Sequence, residues 1–321
     1  GDPTFAWFWE NRFLPTRVWN PATETNIKCT FARHVLPVIG QRKLREIEKF
    51  ELDMLVKKLA DSYSKTIVHQ VRTYTKAALE DAIDQGLLDR NPARKIIRPQ
   101  TREVCQRYLS LDEIAKLLDK MEARDRLISR ICIVLGLRPG ELFATKWDDF
   151  DQATGQLRID ESAAEWGIKE TKTPGSRAWV WLPASIKDEL AKWQATSSTV
   201  LIFPSQNNTP IRTKNFLRRH IWPAAVRAGI MPAKPKDWPK RKQWVDPATS
   251  VNFRAFRRTC ATWFQKVGTT KDTQALLRHS SPVTTLGVYV QAIPESVRTA
   301  VEALDAKLRG QVVEKPTGLI Q

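Results

Sequence analysis

The sequence predicts a mainly α protein of two domains, with a small antiparallel β-sheet in the second. Three observations predict it. The 321 residues exceed the roughly 100–200 that one compact domain usually holds. Apolar residues recur at helical spacing through most of the chain. Only Leu157–Pro183 alternates as strands do, and it carries a Pro-Gly turn. Hydrophobic residues make up 42% of the chain, enough to fill two cores.

The elements follow in order. Asn20-Pro21 reads as an N-cap with proline at the first helical position, so a helix runs from there toward Val35, and Gly40 closes the unit. From Leu44 to Leu59, residues Ile47, Leu52, Leu55 and Leu59 stand near helical spacing. Ser62 or Ser64 starts a long third helix, with Ile67, Val71, Tyr74, Ala78 and Ile83 near one face and Gly86 as its stop. Asn91–Gln106 holds Pro92, Pro99 and many basic residues. It reads as a linker, either laid along a phosphate backbone or a plain solvated tether. The second domain opens on a capping box, Ser110 with Glu113, followed by Ile114, Leu117, Leu118 and Met121. Another helix spans Asp125–Leu135 and stops at Gly136. Leu157–Ile159, Trp166–Lys169 and Arg177–Leu182 read as strands of one small sheet. Pro174-Gly175 fits the centre of a type II turn, which puts Lys172 near a hairpin tip. Helices follow around Ile186–Trp193, Lys214–Ala228, Phe253–Val267 and Thr270–Arg278, with no internal repeat and no low-complexity tract.

The charge narrows the partners. Lys and Arg number 52 against 35 Asp and Glu, a net charge of +17, and such a surplus favours a polyanion, nucleic acid first. Basic residues cluster at Arg90–Arg107, Arg212–Arg219 and Lys234–Lys242. Lys95, Lys214, Arg218, Arg219, Lys240 and Arg241 are the candidate DNA contacts from these clusters. Trp222, Trp238 and Trp244 lie among the later two, as sugar- or base-packing rings or as ordinary core. No apolar run of about 18 residues predicts a membrane span, and no charged and apolar leader opens the chain. Because it begins with Gly rather than Met, its start is expected to be a processed or trimmed end. Cys29, Cys105, Cys132 and Cys260 fit neither a disulfide framework nor a metal pattern, so a reduced cytoplasmic setting and no metal are expected.

Four segments carry chemistry. In Gly136-Leu137-Arg138-Pro139-Gly140-Glu141-Leu142, an arginine stands where a helix ends, able to fork onto two phosphate oxygens or to pair with a carboxylate. In Thr171–Arg177, Lys172 is either an exposed turn lysine or a proton donor to a leaving oxygen. In Arg254–Thr262, Arg254 and Arg257 are three apart on a helix and share a face, for one phosphate or for solvent. The last segment runs Leu276-Leu277-Arg278-His279 and reaches Tyr289 ten residues after the histidine. A lone Tyr289 would be a half-buried tyrosine. A tyrosine hydroxyl also attacks phosphodiesters, provided cationic donors meet the charge that builds on the non-bridging oxygens. Arg138, Arg257 and His279 are of the right type, and Lys172 suits the leaving oxygen.

The order Arg, Lys, Arg, His, Tyr across Arg138–Tyr289 resembles the tyrosine recombinases, the phage-integrase family. The resemblance implies a two-domain C-shaped clamp on duplex DNA. Residues 1–92 would be the helical core-binding domain, 93–108 a basic linker, 109–293 the catalytic domain and 294–321 a tail helix. That tail would be passed to a neighbouring subunit or packed in cis. The resemblance further implies Tyr289 as nucleophile, Arg138 and Arg257 as phosphate clamp, Lys172 as general acid, His279 as hydrogen-bond donor and Glu141 as support. No cofactor is expected. Partners are double-stranded DNA and, on synapsed sites, three further copies of a chain that is monomeric when free. The sequence departs from the family at Arg254, where histidine is usual; arginine donates to phosphate but is a poor proton acceptor. The sequence is expected to start directly at the core-binding part, without the arm-binding region that some integrases carry, whether or not such a region was removed. The activity implied is site-specific recombination by an integrase of a mobile element or prophage in a prokaryotic cytoplasm. Its rivals are a type IB topoisomerase-like nicking and resealing enzyme and a DNA-binding protein with an impaired site.

Overall fold

The computed structural model describes residues 2–100, 107–164, 167–170, 178–235, 249–266 and 269–278. It divides into two compact units, Gly1–Val104 and Cys105–Gln321.

The first unit is helical. Its first helix, α1 (Phe5–Phe8), lies ahead of the one expected at Asn20 and is capped by Thr4, whose hydroxyl accepts from Trp7 N at 3.3 Å. The chain continues through a π-helical turn, Trp9–Phe13, and a 3₁₀ turn, Leu14–Thr16. Phe5, Phe8, Trp9 and Phe13 are buried, and Trp9 stacks on Phe31 with 3.8 Å between ring centroids. Helix α2 (Pro21–His34) starts where expected, with Asn20 Oδ1 accepting from Ala22 N at 3.0 Å. The short α3 (Leu36–Ile39) ends at Gly40.

The helix expected over Leu44–Leu59 is corrected. Leu44–Glu46 is a separate 3₁₀ turn, and α4 runs Lys49–Ser62. The local cap decides the start, because Glu48 N donates to the Glu51 carboxylate at 3.2 Å. Helix α5 (Lys65–Asp84) follows N-cap Ser64. Its buried face is Val68, Val71, Thr75, Ala78, Leu79 and Ala82, while Ile67, Tyr74 and Ile83 flank it half-buried. Gly86 takes the left-handed conformation just after it, at φ +73°. Part of the expected linker belongs to this core. Ala93 and Ile96 are buried, and Asn91 Oδ1 accepts from Ala93 N at 2.8 Å.

The second unit opens with α6 (Leu111–Asp119), whose Ser110–Glu113 capping box is present as expected. Then come α7 (Ala123–Leu135), α8 (Pro139–Ala144) and a 3₁₀ turn at Trp147–Asp149. The strands are β1 (Phe150–Asp151), β2 (Gln156–Ile159), β3 (Glu161–Ala164), β4 (Gly167–Glu170) and β5 (Ala178–Trp181). The single sheet expected here is two. β1, β2 and β5 form one in that order, with Leu157 opposite Val180, and β3 pairs with β4, all antiparallel. Asp160 separates β2 from β3, so the chain leaves the first sheet for a second hairpin and returns to pair β5 with β2. β4 and β5 thus belong to different sheets, and Lys172, expected near a hairpin tip, lies outside the described residues.

Helix α9 (Ala184–Ala195) covers the expected Ile186–Trp193. The single helix expected over Lys214–Ala228 is instead α10 (Thr213–Phe216), a π-helical turn at Leu217–Ile221, and α11 (Trp222–Arg227). Pro223 supplies no N–H and its ring crowds the preceding turn, which a wider π turn relieves. Pro15 stands in the same relation to the π turn at Trp9–Phe13. Helices α12 (Phe253–Phe264) and α13 (Thr270–Leu277) complete the described unit. Its core joins Leu117, Ile128, Ile131, Leu142, Phe143, Leu157, Phe216 and Phe256, with Phe143 edge-on to Phe253 at 6.0 Å. Among the described residues no helix is long and apolar enough to cross a membrane.

Trp9 is 1% exposed, so Trp9→Ala leaves a large cavity in the first unit. A loss of about 3–5 kcal/mol is expected, read as an earlier denaturation of the first unit; an unmoved transition contradicts this core.

Candidate active site

The site grows from two helix ends. Helix α7 stops at Gly136, which is left-handed at φ +60°. A Cβ there would fall 2.6 Å from Leu277 Cδ2 and 3.1 Å from Cys260 Sγ, so both the conformation and the space require glycine. Helix α13 stops at Leu277, and the next residue, Arg278, is also left-handed, at φ +52°. Both ends leave main-chain carbonyls without helical partners. Arg257 on α12 takes one from each. Its Nη1 donates to Gly136 O and its Nη2 to Leu277 O, and the residue is buried.

Two residues beyond Gly136, Arg138 N-caps α8, and Pro139 follows at a position that needs no N–H. Glu141 reaches back to the cap. Its Oε2 accepts from Arg138 N at 3.0 Å and its Oε1 from Arg138 Nη1 at 2.7 Å. The same carboxylate accepts from Arg278 Nη2 at 2.5 Å. The Glu141 and Arg278 side chains are each 3% exposed, whereas that of Arg138 is 43% exposed. One buried carboxylate thus joins a buried guanidinium to one that opens to solvent. Burial works against the charge of Glu141, but Arg278 and Arg138 outweigh it and hold the carboxyl below the ordinary glutamate range. Burial likewise lowers the Arg278 value, against the raising influence of Glu141. Arginine stays protonated regardless.

The second hairpin docks on the same helix. A Cβ on Gly140 would fall 2.6 Å from Ala163 O and 2.7 Å from Ser162 Oγ, so α8 and β3 meet backbone to side. Lys146 Nζ pairs with Glu161 at 2.7 Å at the start of β3. The strand that leads toward Lys172 is therefore paired to one packed on the Arg138 helix.

The remaining candidates separate. Arg254 occupies the first turn of α12, where Asn252 Oδ1 accepts from its N–H at 2.9 Å, and it is exposed while Arg257 is buried. The pair expected to share a face thus meets two environments. Lys95 is exposed in the first unit. Lys214, Arg218 and Arg219 are exposed along α10 and the π turn. Trp222 is half-buried against the core and its Nε1 donates to Val251 O at 3.1 Å, the ordinary core role of the two expected for it. Lys172, Lys240, Arg241, His279, Tyr289, Trp238 and Trp244 lie outside the described residues.

Arg278 is the residue whose role the sequence did not announce. It stood in the His279 segment, but neither its left-handed backbone nor its pairing with Glu141 has a local signature. Cys260 is also at the joint, its Sγ 3.2 Å from Val134 O. Burial pushes its thiol up to about 12, and Cys132 is driven up in the same way. Both stay protonated and serve packing rather than nucleophilic chemistry. Among the described residues no group of three or more His, Cys, Asp or Glu side chains is placed to hold a metal ion.

Comparison with known proteins gives a consistent result. The model of the phage integrase family matches residues 107–295, and that of the phage integrase central domain matches 6–98. A tyrosine recombinase XerC-like protein of Caldanaerobacter subterraneus subsp. tengcongensis is 26% identical over 278 residues, covering 75% of this chain and 66% of that protein. The chain spans 66% and 52% of the first two curated relatives it matches. The fold resembles that of the Tn1549 transposon integrase in complex with a circular intermediate DNA (TM-score 0.73, 15% identity, 94% of this chain and 99% of that one). It also resembles a lambda integrase tetramer bound to a Holliday junction (TM-score 0.71, 20% identity, 89% and 77%).

Two outcomes test the joint. Gly136→Ala should lower the melting temperature of the second unit, since a left-handed alanine costs about 1–2 kcal/mol before the clash with Leu277 is counted. Glu141 has a depressed folded value, so its stabilisation is complete above the ordinary glutamate value of about 4.3 and is lost as pH falls through the folded one. Glu141→Gln should cost about 3–5 kcal/mol at neutral pH. That gap should narrow in acid, as measured by denaturation at a series of pH values; a gap constant from pH 7 to 3 contradicts the assignment.

Proposed function

The chain belongs to the phage integrase family, and from that premise we propose that it is a site-specific recombinase that breaks and rejoins DNA through a 3′-phosphotyrosyl intermediate. The observation that supports this most is the joint itself. It sets a solvent-open Arg138 guanidinium beside the end of α13, from which the chain passes to His279 and, ten residues on, to Tyr289.

The Tyr289 hydroxyl gives up its proton to water or another group and attacks the scissile phosphorus; its oxygen forms the new P–O bond, and the bond to the 5′ oxygen breaks. Lys172 protonates that leaving oxygen, giving a free 5′-hydroxyl. Arg138 and Arg257 meet the non-bridging oxygens, where charge builds in the transition state, and His279 adds a donor. Glu141 holds Arg138 in place. A 5′-hydroxyl of a partner strand then attacks the phosphotyrosine and releases Tyr289. Each step exchanges one phosphate ester for another, so no nucleotide triphosphate need be consumed.

The substrate is duplex DNA, with four copies of the chain assembled on two synapsed sites and the reaction serving a mobile element or prophage in a prokaryotic cytoplasm. The likeness to integrases solved on circular-intermediate and Holliday-junction DNA supports this reading. The net charge of +17 supports it too, with Lys95, Lys214, Arg218 and Arg219 exposed, and with Lys240 and Arg241 of the same basic clusters as further contacts. One observation favours a second reading. Arg254 is an exposed arginine that cannot accept the tyrosine proton. A DNA-binding protein with an impaired site is what remains if water or another group does not take that proton.

The test is incubation with nicked suicide duplexes from the ends of the chain's own element, scored for a denaturant-resistant protein–DNA adduct. Wild type should give the adduct, and Tyr289→Phe should bind equally but give none. Tight binding without adduct by wild type favours the impaired reading. Arg138→Ala should slow cleavage by a factor equivalent to about 3–4 kcal/mol; cleavage at the wild-type rate removes Arg138 from the site. Affinity should fall steeply with salt, and a flat dependence contradicts phosphate contacts as the main source of binding.

A further inference from the structure

We propose that Arg278 is a positioning residue for strand cleavage: through Glu141 it sets the orientation of the Arg138 guanidinium, and it does so at the backbone position from which the chain leaves for His279. The inference rests on the recombinase reading and deepens it.

Arg278 combines three features that are individually costly. Its backbone is left-handed, at φ +52° and ψ +48°, in a conformation that favours glycine at a helix end. Its guanidinium is withdrawn from water, with the side chain 3% exposed. It also adds a third guanidinium to a neighbourhood that already holds Arg138 and Arg257, and the Arg138 charge works against its own. A glycine would satisfy the backbone more easily, and an apolar side chain would satisfy the burial. Neither would supply what the carboxylate uses.

That use is geometric. Glu141 has two oxygens and three donors. Oε1 takes Arg138 Nη1, while Oε2 takes both Arg138 N and Arg278 Nη2. Arg138 alone draws the carboxylate toward the half-open side of the site. Arg278 draws it from the buried side, so its plane is fixed and Oε1 presents one direction to Arg138. Without Arg278 the buried carboxylate keeps only the N–H and Nη1 of Arg138, both on the α8 side, and loses its one charged partner from the buried side. The phosphate would then meet a donor that has to be oriented during the reaction rather than before it. Arg278 is tied in as well, its N–H donating to Ala275 O at 3.0 Å and the preceding carbonyl, Leu277 O, accepting from Arg257. One residue therefore couples the α8 end of the site to the α13 end.

The role predicts a cleavage defect without a binding defect. Single-turnover cleavage of a nicked suicide duplex at saturating protein reads the former, and fluorescence anisotropy with the same duplex reads the latter. Arg278→Gly relieves the left-handed strain and deletes the charge. It should cleave about ten- to a hundredfold more slowly with affinity within a few fold of wild type. Arg278→Lys should fall between. If Arg278 serves only as a helix cap, Arg278→Gly equals or exceeds wild type, which overturns the proposal. The decisive comparison repeats both variants in an Arg138→Lys background. If Arg278 acts through Arg138, its effect shrinks there; an undiminished effect overturns the proposal. Should Arg278→Gly fail to fold, by circular dichroism and DNA binding, Arg278→Lys in the two backgrounds carries the same test. A wild-type protein that makes no adduct at all would instead fault the recombinase reading, so the two failures are told apart.

Discussion

The second unit depends on one buried carboxylate. Glu141 is 2% exposed and survives as an anion because two guanidinium groups pair with it. An unpaired buried carboxylate would cost several kcal/mol, so the fold must deliver both arginines before Glu141 can be enclosed. One arrives locally, three residues earlier on the cap of α8. The other arrives from α13, more than a hundred residues later. The arrangement leaves Arg138 part-open to solvent, and the carboxylate cancels only one of the two arginine charges that it pairs with. Such a surplus is complementary to a phosphodiester.

The backbone around this pair is shaped to the same end. Gly136 and Arg278 are both left-handed, each turning the chain sharply after its helix, and the carbonyls at those two turns are the ones Arg257 binds. A cation at helix C-termini is favoured by the aligned peptide dipoles. Arg257 therefore draws the ends of α7 and α13 together, which in turn brings Arg138 and Arg278 within reach of one glutamate. Gly140 lets β3 press against α8 from another side. In this protein the groups expected to contact DNA and the groups that hold the helices together overlap, and Arg257 is the plainest instance.

Much of this was legible in the sequence because it is local. The Asn20 and Ser110 caps, the stop at Gly136 and the helical spacing after each are read within a few residues. The order Arg138, Lys172, Arg257, His279, Tyr289 was legible as a resemblance, since family order survives where identity has fallen. What was not legible is long-range. Nothing near Arg278 says that its partner lies at Glu141, and nothing near Arg257 says that it binds two carbonyls. Leu157–Pro183 shows strand alternation, but which strands pair depends on α8 receiving β3 at Gly140. The helix over Lys214–Ala228 had the right periodicity, yet Pro223 imposed a π turn that a count of apolar residues does not show. For Trp222 the sequence left two roles open, and packing against the core, a long-range property, decides between them.

The central claim is that this joint serves a tyrosine nucleophile ten residues beyond His279. The chain has four tyrosines, Tyr63, Tyr74, Tyr108 and Tyr289, so the attachment point can be identified outright. A wild-type complex trapped on a suicide duplex would be digested with nuclease and trypsin, and the nucleotide-bearing peptide sequenced by mass spectrometry. The account predicts the peptide His279–Arg298, with the phosphate ester on Tyr289. An ester on any of the other three tyrosines, or on a residue that is not tyrosine, would contradict it.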